Sequence, residues 1–118
     1  MSERQASTFR KGQFTDSHIK VLAYLNQLGV SYKAEEVVHC YGAFDGKSRP
    51  ISYKVDVLVN DIHYFVGVIE IEGKGSNTAD DEVRDRRLSL QGINWIEHLP
   101  NKEVSLLAVS DILARHRL

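Results

Sequence analysis

The chain has little cysteine, little proline and no excess of charge. Cys40 is the single cysteine among 118 residues. It excludes an intramolecular disulfide, fits a reducing compartment, and is too few for a Cys-rich zinc site. No apolar run reaches the roughly 18–20 residues that a membrane helix needs, so no membrane partner is expected. The segment from Met1 to Gln13 is polar, carries Arg4, Arg10 and Lys11, and lacks the apolar stretch of a secretory signal, which makes a cytoplasmic location the expectation. Lys and Arg number 15 against 16 Asp and Glu, a formal net charge of −1. That balance excludes a strongly basic nucleic-acid coat protein. It does not exclude a nuclease, because carboxylates that hold metals lower the total while basic residues still cluster locally. A Gly-rich phosphate loop and zinc-finger spacing are both missing, so no small organic cofactor is expected.

What is present is an ordinary globular composition, 42% hydrophobic and 26% charged. Repeats, low-complexity tracts and linkers are absent. The length fits one core, with residues 1–14 as a flexible N-terminal arm and 15–118 as a single domain. Thr15 caps an expected helix to about Leu28, where His18, Val21, Leu22, Leu25 and Leu28 share one face and Gly29 ends it. Ser31 to Cys40 reads as a first strand and Gly42 to Pro50 as a loop. Ile51 to Asn60 is a second strand and Ile62 to Gly73 a third, joined by a hairpin turn at Asn60-Asp61. Ala79 to Gln91 is a charged helix, acidic first and basic later, as the helix dipole favours. Ile93 to Leu99 is a fourth strand and Glu103 to about Arg115 a last helix. The order αβββαβα gives an α/β fold, a four-stranded mixed sheet flanked by helices.

The chemistry-bearing residues lie on the second and third strands. Side chains repeat with period two along a strand, so Glu70, Glu72 and Lys74 share a face. Two carboxylates on an otherwise apolar strand are costly to bury without compensation. Asp56, inside the apolar run Val55-Asp56-Val57-Leu58-Val59, adds a third. Hard divalent cations take such oxygen ligands and serve phosphate chemistry, so Mg²⁺ is the expected cofactor, with Mn²⁺ able to substitute. His18 either packs as a core histidine or reaches that metal. Lys47, Arg49, Arg84 and Arg87 are the candidate nucleic-acid contacts, although Arg84 and Arg87 equally suit salt bridges along their helix. His39, His63, His98 and His116 have no ligand spacing. Tyr64 and Trp95 read as core residues.

These residues resemble the PD-(D/E)xK superfamily, the restriction-endonuclease-like fold. In it an Asp opens the motif on the second strand and a Glu-x-Lys pair lies on the third; some of its restriction enzymes carry Glu-x-Glu, as Glu70-Ile71-Glu72 does. The chain looks closer still to small proteins related to the very-short-patch-repair endonuclease. Their ordered pattern reads here as Asp56, then Glu70-Ile71-Glu72-Gly73, then Asp81, Arg84, Leu88 and Gly92, with Glu103-Val104 downstream, over roughly residues 15–110. The chain departs from that pattern at His18, usually Glu; at Ser76 and Asn77, where a His is usual; and at Glu97, usually Arg. The resemblance implies a metal-dependent DNA endonuclease, an enzyme of the kind used in DNA repair, that leaves a 5′-phosphate and a 3′-hydroxyl. It would nick one strand, or cut both as a homodimer. Asp56 and Glu70 would hold the metal, Glu72 would be a ligand or general base, and Lys74 an accessory cation. A Holliday-junction resolvase and a catalytically inactive nucleic-acid-binding or assembly module of the same fold stay open as alternatives.

The metal site also demands a particular register. A two-residue turn at Asn60-Asp61 would pair Asp56 with Phe65 and point Asp56 away from Glu70 and Glu72. The site therefore requires a connection that changes the pairing parity or a β-bulge, with Gly67 as the preferred bulge position.

Overall fold

The computed structural model describes residues 15–73 and 78–118. The N-terminal arm and Lys74 lie outside the described residues. The elements are α1 (Asp16–Gln27), β1 (Tyr32–Phe44), β2 (Pro50–Val59), β3 (Gly67–Glu72), α2 (Thr78–Ser89), β4 (Trp95–Pro100), a 3₁₀ turn (Asn101–Glu103) and α3 (Leu106–Arg115). The described residues thus form an α/β structure with one four-stranded mixed sheet in the order β1-β2-β3-β4. β1, β2 and β3 are antiparallel neighbours, and β3 and β4 run parallel across the α2 connection. No helix among the described residues is long and apolar enough to cross a membrane.

Local chemistry explains the helix ends. Thr15 Oγ1 accepts from the His18 N–H at 3.3 Å, and Gly29 leaves the helix with φ +71°. The last helix begins at Leu106 rather than Glu103, because the Ser105 hydroxyl accepts from the Ala108 N–H and forms the cap. Both faces of the sheet are covered. Val21, Leu22 and Leu25 of α1 and Val109, Ile112 and Leu113 of α3 pack with Val57, Val59, Ile69, Ile71, Trp95 and Leu99 on one face. Leu88 of α2 packs with Cys40, Val55, Val68 and Ile93 on the other.

Around the sheet, the strand boundaries next to two loops also differ from the sequence expectation, each for a reason. β1 and β2 continue into the expected loop as far as Phe44 and Pro50, so only residues 45–49 form the tip. There Asp45 accepts from the Lys47 and Arg49 N–H groups. β3 begins at Gly67, not Ile62. The turn at Asn60-Asp61 is replaced by a seven-residue connection, residues 60–66. Asp61 organises it by accepting from the Ser31 and His63 N–H groups, both at 2.8 Å.

That connection changes the parity. Val59 pairs with Gly67 and Val57 with Ile69, a count that sets Asp56 opposite Glu70. The site needed such a loop, or else a bulge; the loop supplies the change and Gly67 is no bulge. It pairs regularly with Val59 and Trp95. Its glycine serves a close approach instead: a Cβ there would lie 1.9 Å from Trp95 Cε2.

β2 also turns about Asp56. Val57 and Val59 belong to one core and Val55 to the other, although the three alternate along one strand. Across from it the pairing passes from Ala34/Val57 to Glu36/Val55 without a Glu35/Asp56 pair, and Glu35 sits at φ +55°. A non-glycine residue in that region is uncommon and strained.

Candidate active site

The site forms where β2 and β3 part. Their ladder ends at Val57/Ile69, and beyond it side chains replace main-chain bonds. The Asp56 N–H points at both Glu70 carboxylate oxygens, at 3.4 and 3.3 Å. The Ile71 N–H donates to Asp56 Oδ2 at 2.8 Å. Each acid satisfies a backbone donor that the splayed strands leave open, which holds both carboxylates in the gap. They line a pocket of about 380 Å³ together with Tyr53, Lys54, Glu72, Asp81 and Arg84.

Arg84 reaches this gap from α2. Its Nη2 donates to the two Glu70 oxygens at 2.6 and 2.8 Å and to the Lys54 carbonyl at 3.2 Å. Its guanidinium lies 5.7 Å from the centre of the Tyr53 ring. Arg84 Nε is buried with no hydrogen-bond partner. Glu70 is only 4% exposed. Burial, and then the neighbouring Asp56 charge, push its carboxyl up to about 7 from an ordinary 4.5, against the pull of Arg84 and the Asp56 N–H.

α1 closes the site on another side. His18 Nε2 stands 3.6 Å from Asp56 Oδ2, so the histidine on the apolar stripe also reaches the acid. Farther along β3, Glu72 contacts His98 Nδ1, and His98 Nε2 meets Asp85 Oδ2 at 2.6 Å. Burial disfavours the His98 cation, but the hydrogen bonds to Asp85 and Glu72 outweigh it and raise its pKa.

Asp56, Glu70, Glu72 and Arg84 therefore meet in one pocket, with His18 behind Asp56. Arg87 stands beside them and donates to the Tyr53 hydroxyl at 2.8 Å. Lys47 and Arg49 do not line this pocket; they lie at the β1–β2 tip, where Arg49 Nε pairs with Asp45 at 2.8 Å. Neither helix arginine is spent on the exposed face of α2: both cross to the sheet.

Sequence reasoning passed over Lys54 and Asp85, set His98 aside for want of ligand spacing, and named Asp81 only in the family pattern, without a site role. Lys54 was findable, because it precedes Asp56 by two on the same strand. His98 needed the parallel β3–β4 register, which sets it beside Glu70 and near Glu72. Among the described residues, Glu72, Asp81 and His98 form a potential ligand trio, with one ligating atom of each lying within 4.8 Å of the others. No family model, curated protein or solved structure matches the chain.

Proposed function

We propose that this protein is a metal-dependent DNA endonuclease of restriction-endonuclease-like architecture. The observation that carries the reading is the pair Asp56 and Glu70, set opposite each other where β2 and β3 part and opening into one pocket with Glu72 and Arg84. The donor set fits a hard divalent cation: carboxylates crowded on one site repel one another, and Glu70 is driven toward its neutral form. Asp56, Glu70 and Glu72 would hold Mg²⁺ or Mn²⁺, which when bound lowers the pKa of its water and offsets charge on a phosphate.

The chain's own residues supply the rest. Arg84 fixes the Glu70 carboxylate by two hydrogen bonds and brings positive charge to the pocket. Lys54 is exposed at the rim, where a phosphodiester backbone would approach. Glu72 is the general base or a third ligand, and Lys74 an accessory cation. Arg87, through Tyr53, keeps the pocket wall in place.

Cleavage of supercoiled, mismatched, branched and single-stranded DNA with Mg²⁺ or Mn²⁺ tests the reading. Asp56→Ala and Glu70→Ala should each lose about a thousandfold in rate, the scale of several kcal/mol of metal-assisted stabilisation. Full activity in either variant would sink the assignment. A preference for branched DNA makes it a junction resolvase. A second reading draws on the Arg84 pairing itself, which already neutralises Glu70: an inactive nucleic-acid-binding module would bind DNA and cleave none of these substrates.

A further inference from the structure

Beside the Asp56–Glu70 pocket lies a second, chemically different cavity of about 240 Å³, lined by Glu72, Asp81, Glu82, Asp85 and His98. We infer that it is a second divalent-metal site, of transition-metal type, that shares Glu72 and Asp81 with the lining of the first pocket, with Glu72, Asp81 and His98 as ligands and Asp85 holding the imidazole from behind.

Three independent elements build it: the end of β3, the first turn of α2, and β4. One ligating atom from each of the three residues lies within 4.8 Å of the others. Two atoms bound at about 2.1 Å to one ion stand roughly 3–4 Å apart, so the trio needs only small adjustments to close on a cation. His98 sets this cluster apart from a merely acidic patch. Asp85 Oδ2 takes His98 Nε2 at 2.6 Å, which leaves Nδ1 turned toward Glu72. A carboxylate on the far ring nitrogen is how metal-bound histidines are oriented. The cation takes the place of the proton between Nδ1 and Glu72.

Two further observations call for a positive ligand. Four carboxylates face one imidazole, and among the described residues no lysine or arginine lines the cavity. The second Asp85 oxygen, Oδ1, is buried without a hydrogen-bond partner, a costly state in a cluster already short of donors and positive charge. The mixed ligand set also selects the ion. Imidazole with carboxylates suits Mn²⁺ or Zn²⁺, whereas Mg²⁺ prefers oxygen alone. The inference does not depend on phosphodiester cleavage, since it concerns binding in the absence of DNA.

The test is Mn²⁺ binding followed by electron paramagnetic resonance. It uses the full chain carrying Asp56→Asn and Glu70→Gln, so that the two acids peculiar to the neighbouring pocket contribute no ligand, and the His98 nitrogen identifies the site. Mn²⁺ should bind with a nitrogen coupling in the pulsed spectrum, resist millimolar Mg²⁺, and be displaced by Zn²⁺. Adding His98→Gln should remove the nitrogen coupling. His98→Gln and Asp81→Asn should each weaken binding at least about tenfold. Asp81 stands in the first turn of α2 and is partly exposed, so its variant tests the site even if the His98 variant fails to fold. Absence of Mn²⁺ uptake, uptake without nitrogen coupling, or affinity indifferent to Asp81→Asn overturns the inference. None of these outcomes bears on whether Asp56 supports cleavage.

Discussion

Asp61 and Glu70 are both buried acids, 8% and 4% exposed, yet their carboxyls move in opposite directions. Asp61 accepts from the Ser31 N–H, the His63 N–H and His63 Nδ1, all within 2.9 Å, and those donors hold it below the usual carboxylate range. Glu70 has Arg84, two long contacts from one N–H, and a second carboxylate beside it, and it rises to about 7. Low exposure is shared, but its depth and the donors are not: loss of water dominates at Glu70, and hydrogen-bond donors dominate at Asp61. The two acids mark opposite ends of β3. At the Gly67 end the polar groups are satisfied by the chain itself. At the Glu72 end, acids outnumber the donors that the chain provides. The first arrangement stabilises the fold, and the second, on the proposed reading, is what a cation would complete.

The Gly67 end breaks most easily through its glycine. Trp95 lies against Gly67, donates from Nε1 to the Phe65 carbonyl at 2.7 Å, and stacks on His116 at 4.3 Å. Gly67→Val would force the indole out, at a cost of about 3–5 kcal/mol, the scale of losing a buried tryptophan. Urea unfolding measures it. In a Trp95→Ala background the same change should cost much less, and the difference between the two costs reads the contact. Equal costs in both backgrounds would mean that Gly67 acts through the backbone alone.

The pH dependence of stability separates the two acids directly. Glu70 has a raised folded value, so its contribution is full below about 4.5 and is lost as pH rises toward about 7. The total change is about 3 kcal/mol, taken from the shift at 1.36 kcal/mol per unit. Glu70→Gln should flatten that limb. Asp61 has a lowered folded value, so its contribution is present above 3.8 and is lost as pH falls through the lower folded value. Asp61→Asn should flatten only the acid limb. His98 adds its own loss above 6.5, so each variant must be compared with wild type rather than with a flat line. Denaturant midpoints between pH 3 and 9 decide it: a Glu70→Gln curve parallel to wild type would refute the Glu70 account.

The two ends were unequally legible in the sequence. Period two along β3 put Glu70 and Glu72 together, and the parity argument required a connection that sets Asp56 opposite Glu70; residues 60–66 provide it. The helix α1 was readable from Thr15, its apolar stripe and Gly29. What stayed hidden depended on contacts distant in sequence. Gly67 looked like a bulge because a glycine in a strand has two explanations, and the indole that decides between them comes 28 residues later. His98 carried no spacing signal, because its partners Glu72 and Asp85 come from two other elements. Arg84 and Arg87 read equally well as helix-surface ion pairs until α2 was laid on the sheet by Leu88.

The smallest effect, and the sharpest for the acidic end, is expected at His18. Its ring nitrogen is 3.6 Å from Asp56, and the side chains are 18% and 23% exposed. A partly screened pair at that distance is worth at most about 1 kcal/mol. His18→Ala should therefore change stability little and, on the proposed nuclease reading, lower cleavage only a few-fold. His18→Glu is the more telling change. It puts a third carboxylate beside Asp56 and Glu70, where like charges already compete. Without metal the variant should be slightly less stable than wild type above pH 7, and Mg²⁺ or Mn²⁺ should return more stability than it gives wild type, because binding to the folded state shifts the equilibrium by mass action. Thermal unfolding with and without each cation measures both halves. If the cations stabilise His18→Glu no more than wild type, His18 is a core residue with an incidental contact, and the acidic end extends no farther than Asp56.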